Sequence, residues 1–166
     1  MRVSPYISSD YNFFVDEIVR ICSRIAGPPA DEHKRIYVSR GGIEPSASIK
    51  RYLTGQEQIE ECVRKRGFAI VRPEKMPWPQ QVRMFAHADT VMGEFGSGLH
   101  NTVFSSRATL NIVLSNSMMS LTQSAIAAMR GQPLQYIKPT KEVREGNRID
   151  CSYDTEVIGR FLDEAL

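Results

Sequence analysis

Long apolar runs are missing from this sequence, and so is any marked excess of charge of one sign. No stretch approaches the ~20 consecutive apolar residues that a membrane-spanning helix needs, and the first residues, Met1 to Ile7, lack the apolar core of a signal peptide. Secreted and transmembrane readings therefore drop out. Lys and Arg number 21 against 19 Asp and Glu, a formal net charge of +2. That balance predicts no strong steering toward a nucleic-acid backbone, though it leaves room for a local basic site. Cysteine is scarce: Cys22, Cys62 and Cys151 are odd in number and far apart. This spacing supports neither a CxxC zinc ribbon nor a disulfide framework, and favours a reducing, cytoplasmic compartment.

Several nucleotide and hydrolase signatures are also missing. There is no GxGxxG after a first strand, no GxxxxGK[ST] phosphate loop and no GxSxG elbow for a serine nucleophile. His33, His87 and His100 share no metal-ligand spacing with one another or with the cysteines. No Asp-x-Asp is present to hold a metal–diphosphate, so no metal and no cofactor are expected.

What remains is a chain of 166 residues with 42% hydrophobic content and a mean hydropathy of -0.30. That describes a soluble globular domain able to bury roughly 70% of its unfolded surface. Phe14, Ile18, Ile21, Cys22 and Ile25 fall at helical spacing, which predicts an amphipathic helix over 12–26, ended by Gly27-Pro28-Pro29. A polar linker follows, so residues 1–33 read as an N-terminal connector and 34–166 as the main domain.

From Arg35 onward short β-rich runs alternate with helical ones. Strands are predicted at 35–39, 68–71, 90–92, 110–114 and 134–137. Helices are predicted after Thr54, over 78–87, from near Leu99, over 118–129 and over 154–165. Thr54 and Glu57 have the form of a capping box, Gly67 suits a helix C′ position, and Asp154 is a plausible N-cap. Trp78 reads as core or staple, and Met118-Met119 as helix packing. This alternation predicts an α/β fold, a doubly wound, mostly parallel, Rossmann-like sheet with helices on both faces. Ligands of such sheets sit outside the strand carboxyl ends, which selects the loops 39–52, 72–78 and 93–101.

The stretch Gly93-Glu94-Phe95-Gly96-Ser97-Gly98-Leu99-His100-Asn101 is the most informative. Its glycines allow close backbone approach, and Gly98 leads into a helix N-terminus that favours an anion such as phosphate. The same pattern also suits an ordinary strand-to-helix turn. Arg40 follows the first strand, and Lys50-Arg51 ends the same loop. Guanidinium groups there can pair bidentately with phosphate oxygens, or simply be solvated. Glu94 can accept from a sugar hydroxyl, act as a base, or bond its own turn. His100, in a first helical turn, suits either a neutral donor to phosphate or a packing role.

An ordered series of pieces resembles glycosyltransferase family 61. It runs through Arg35 to Arg40, Arg51-Tyr52-Leu53, Glu57 to Glu60, Arg66-Gly67-Phe68, Val71 to Glu74, Gln81 to Phe85, Ala88-Asp89 and Gly93 to Asn101. The series covers roughly 34–115, with a weaker echo from Ile149 to Val157. The resemblance implies an inverting, metal-independent transferase of GT-B type using a nucleotide-sugar, commonly a UDP-sugar, and a glycan or polysaccharide acceptor. It implies that the chain matches the C-terminal, donor-binding half, with an N-terminal acceptor half or a second copy as partner. On this reading Ser39, Arg40 and Arg51 face the donor diphosphate, while Gly96, Ser97, Gly98, His100 and Asn101 cradle phosphate or sugar. Phe95 stands where many members carry His, which leaves Glu94 and His100 as substitutes at this point; with Arg40, set to stabilise the leaving diphosphate, they are the catalytic candidates. Two rival readings are a non-catalytic remnant that binds nucleotide or a partner chain, and a nucleotide-using enzyme with another reaction.

Overall fold

A computed structural model describes residues 9–28, 34–41, 50–106, 108–117 and 121–166. Helix α1 spans Ser9–Ala26 and starts earlier than its apolar spacing predicts. The chain then forms β1 (Arg35–Val38), β2 (Lys50–Thr54), α2 (Gln56–Arg64), β3 (Ala69–Val71), α3 (Trp78–His87) and β4 (Thr90–Glu94). A 3-10 segment over Ser97–Phe104 takes the place of the α-helix expected from Leu99. Next come β5 (Leu110–Leu114), α4 (Thr122–Arg130), β6 (Leu134–Ile137), the hairpin β7 (Lys141–Glu145) and β8 (Arg148–Ser152), and α5 (Thr155–Ala165).

The main sheet has five strands, all parallel, in the order β3-β1-β4-β5-β6. Because side chains alternate across a strand, neighbouring strand residues feed opposite faces. Tyr37, Met92, Ile112 and Leu114 meet Ile59 and Val63 of α2 and Ile158 and Leu162 of α5 on one side. Ile36, Val38, Val91 and Val113 meet Phe85 of α3 and Leu99 on the other. The sheet is thus doubly wound, as the alternation of strands and helices predicts. Strand order reverses between β1 and β4, so their carboxyl ends diverge there.

Outside α3 lies α1, docked through Cys22 and Ala26 onto Val82. Only part of its apolar stripe is used: Ile18 and Ile21 stay about half exposed. Trp78, expected as core or staple, is likewise half exposed and lies outside the core, where it meets Phe104 edge to face. Prolines 77 and 79 occupy the start of α3, where the Pro77 carbonyl accepts from the Gln80 and Gln81 N–H groups. Asp154 caps α5 as expected, its carboxylate accepting from the N–H of Glu156 and Val157. Met118 and Met119, and loop residues 42–49, lie outside the described residues.

A second sheet, of three strands in the order β2-β8-β7, has no counterpart in the sequence reading. Its formation overturns the Thr54 capping box. Thr54 is the last residue of β2, paired in parallel with Ser152, and the α2 N-cap is Gly55 in a left-handed conformation. Ladder hydrogen bonds claim the backbone that a cap would need. Gly67, also left-handed, closes the turn after α2, two residues beyond the C-cap Lys65. The small sheet sits over the carboxyl ends of β4 and β5. Arg51 Nη1 donates to the Phe95 carbonyl at 3.2 Å, the Tyr153 hydroxyl donates to the Ser115 carbonyl, and the Ser117 N–H donates to Glu142 at 3.0 Å.

Candidate functional site

At the divergence of β1 and β4 the surface opens into a crevice of about 260 Å³. All three loops selected by sequence contribute to it: Ser39 and Arg40 after β1, Pro73 and Glu74 after β3, and Glu94, Gly96, Ser97, Gly98 and Asn101 at and beyond the end of β4. Gln81 of α3 supplies the floor between them. Its side-chain NH2 donates to the Pro73 and Met76 carbonyls at 2.8 and 2.9 Å, and its oxygen accepts from Asn101 at 2.9 Å.

The glycines serve close approach. A Cβ on Gly93 would come 2.7 Å from the Val38 carbonyl, on the backbone of β1, and 2.9 Å from Val38 Cβ. Only glycine lets β1 and β4 lie this close at the switch point. A Cβ on Gly96 would instead sit 2.4 Å from Arg40 Nη1, so the Arg40 guanidinium lies directly over the Gly96 backbone. The 3-10 segment begins one residue later, at Ser97, with no acidic residue in its first turn. A guanidinium and the positive end of a helical segment therefore share one wall of the crevice, an arrangement suited to an anion.

Glu94 stands between this wall and the small sheet. It also lines an adjoining cavity of about 20 Å³ shared with Arg40, Arg51, Phe95, Cys151 and Tyr153. Burial raises its carboxyl pKa to about 7. Arg40, through its charge and its backbone N–H, and then Arg51 act against that shift without cancelling it. Its Oε1 is buried and accepts no hydrogen bond from the described residues. A carboxyl group near neutrality with one open acceptor can hold a hydroxyl or take a proton from it. Arg51 lies over the Phe95 ring, 5.2 Å from its centroid. Burial, and then the charge of Arg40, lower its pKa from the ordinary value.

The predicted residues are not equally placed. Arg40, Glu94, Gly96, Ser97, Gly98 and Asn101 line the crevice together. Ser39 lines it too, but its hydroxyl turns away, donating to Glu60 at 2.8 Å and accepting from the Gly41 N–H and Gln56. Arg51 lines the adjoining cavity. His100 lies on the same 3-10 segment without lining the crevice. Its Nε2 is buried without a partner among the described residues, and burial lowers its pKa. The reading from sequence assigned no role to Gln81 or Glu60, although both fall within the series that carries the family resemblance. Among the described residues, no group of three or more His, Cys, Asp or Glu is placed to hold a metal ion, and no helix is long and apolar enough to cross a membrane.

These features define a doubly wound α/β domain with an anion-suited crevice at its topological switch point. The sequence matches the Glycosyltransferase 61 family over residues 3–112, a span that takes in α1 and ends within β5. The chain belongs to glycosyltransferase family 61. Its substrates are accordingly, in kind, a sugar donor and an acceptor. No curated protein matches the chain.

Proposed function

We propose that this chain is the donor-binding domain of an inverting, metal-independent, GT-B-type transferase. It would move a sugar from a UDP-sugar to a glycan or polysaccharide in the cytoplasm. The donor-binding unit would span 34–166, with 1–33 as its connector and a second half or a second copy completing the acceptor side. One observation carries the reading: Arg40 lies over Gly96 beside the start of the Ser97–Phe104 segment, in a crevice at the strand-order switch. Ligands of doubly wound sheets occupy that position.

In this reading Arg40, with Arg51 behind it, balances the negative charge that grows on the departing diphosphate, an electrostatic contribution that needs no proton transfer. The backbone at Gly96, Ser97 and Gly98 holds phosphate, and Asn101, fixed by Gln81, borders the sugar. Glu94 orients a donor hydroxyl or takes the acceptor proton. His100 acts from behind the segment that carries Ser97. The partner-binding reading draws on Ile18 and Ile21, whose exposure leaves part of the α1 apolar stripe uncovered.

Thermal unfolding with UDP, GDP, CMP and ADP, with and without magnesium, tests the assignment. Nucleotide at 100-fold over its dissociation constant adds about 2.7 kcal/mol, a shift of roughly 5–10 °C for a domain of this size. A metal-independent shift specific to UDP, abolished by Arg40→Ala, is the expected result. No shift with any nucleotide would favour the partner-binding reading instead.

A further inference from the structure

The crevice has a hidden support on its far side. Glu60, on α2, is only 5% exposed, yet four side chains converge on its carboxylate. Oε1 accepts from the Ser39 hydroxyl at 2.8 Å, from Gln56 at 2.9 Å and from Arg72 Nη2 at 3.3 Å; Oε2 accepts from Arg64 at 2.9 Å. The Ser39 hydroxyl in turn receives the Gly41 N–H at 3.0 Å, and Arg72 Nε donates to the Gly41 carbonyl at 3.1 Å. The Ser39 N–H is fixed to the Val71 carbonyl at 2.9 Å. Both neighbours of Arg40 are therefore clamped, one through its side chain and one through both backbone groups. Glu60 itself does not line the crevice.

We propose that Glu60 is the positioning residue for Arg40, holding the Ser39–Gly41 turn so that the guanidinium stays seated over Gly96 where a donor diphosphate would lie. The ligand named here rests on the proposed donor role; the positioning itself does not. An arginine on an unconstrained turn loses several rotatable bonds on meeting phosphate, whereas one seated in advance loses fewer, so the clamp acts on diphosphate affinity. Nucleoside contacts made elsewhere in the site are indifferent to it. Arg72 shares the work, because, like the Ser39 hydroxyl, it bonds both Glu60 and Gly41.

The test compares the intact chain with Glu60→Gln, which keeps the volume and one acceptor but loses the charge that gathers Arg64 and Arg72. Arg72→Lys, which retains charge but lacks the fixed pair of Nε–H and Nη2–H donors that makes these two bonds, serves as the second variant should the first fail to fold. Calorimetric titration with UDP and with uridine reads the phosphate contribution separately from nucleoside binding. Nitrogen-15 relaxation at Arg40 Nε reads the order of the side chain with no ligand present. The expected result is about a tenfold loss of UDP affinity with uridine binding unchanged, and a faster-moving Arg40 in either variant. Equal losses for UDP and uridine would reduce Glu60 to a general structural role and overturn the proposal. So would an Arg40 whose order is unchanged. If the parent chain binds UDP no better than uridine, the donor reading fails, and the relaxation measurement alone then decides the role of Glu60.

Discussion

Two carboxylates lie on either side of the Ser39–Gly41 turn, and their surroundings pull them in opposite directions. Burial raises the pKa of each. At Glu60 the hydrogen bonds from Gln56 and Ser39 and the charges of Arg72 and Arg64 more than offset burial, and its pKa falls below the usual carboxylate range. At Glu94 burial wins: Arg40 and Arg51 oppose it, Oε1 accepts no hydrogen bond from the described residues, and the pKa rises to about 7. The contrast lies in donor number as much as in charge. A carboxylate surrounded by donors is a structural anion, while one left with an open acceptor is available for chemistry.

The pH dependence of stability separates the two. A depressed pKa gives stability that is present above the unfolded value near 4.5 and is lost on acidification through the lower folded value. Glu60 follows that course. A raised pKa gives stability that is full below about 4.5 and is lost as pH climbs to about 7, and Glu94 follows this opposite course.

The largest effect expected is that of Glu60→Ala. It leaves Ser39, Gln56 and Arg72 without their common acceptor and costs about 3 kcal/mol at pH 7 in urea unfolding. A cost below about 1 kcal/mol would show that the clamp is not a buried charge network. Next comes Glu94→Gln, which removes an ionisation the fold disfavours. It should stabilise the domain at pH 8 by about 2 kcal/mol and flatten the stability profile between pH 4.5 and 7. An unchanged profile would mean that Glu94 is well solvated. Smallest is Arg64→Ala, whose side chain is 49% exposed. Its loss should cost under about 1 kcal/mol and disappear at high salt. A larger effect would place the Glu60 anion mainly under the control of Arg64.

The same contrast marks how far local sequence carries. Helix α3 and strands β5 and β6 form over the residues that the sequence selects: β5 is a short continuous apolar run buried on both faces, and α3 buries Val82 and Phe85 at helical spacing. The crevice was legible through the position rule for doubly wound sheets and the glycine-rich run after β4. The small sheet was not, since the parallel pairing of β2 with β8 joins residues far apart along the chain. One signal was present: Gly146-Asn147 between Lys141–Glu145 and Arg148–Ser152 has the form of a two-residue hairpin turn, and Gly146 is left-handed as such turns require. Glu60 gave no signal of its own. It sits among the polar residues of an ordinary amphipathic helix, and only the three-dimensional meeting of Ser39, Arg72 and Gln56 reveals what it holds.

The β2–β8 pairing also bears on the order in which the molecule assembles. Contacts local in sequence form quickly, whereas a ladder between residues near 50 and residues near 150 must wait for a long loop to close. That ladder positions Leu53, Cys151 and Tyr153 against the cavity beside Glu94. A refolding chain can therefore complete most of its parallel sheet while Glu94 still exchanges protons freely with water. At pH values between 4.5 and 7, the expected outcome is that proton uptake from the solvent falls in the same kinetic phase as the closing of this ladder, which stopped-flow refolding with a pH indicator checks.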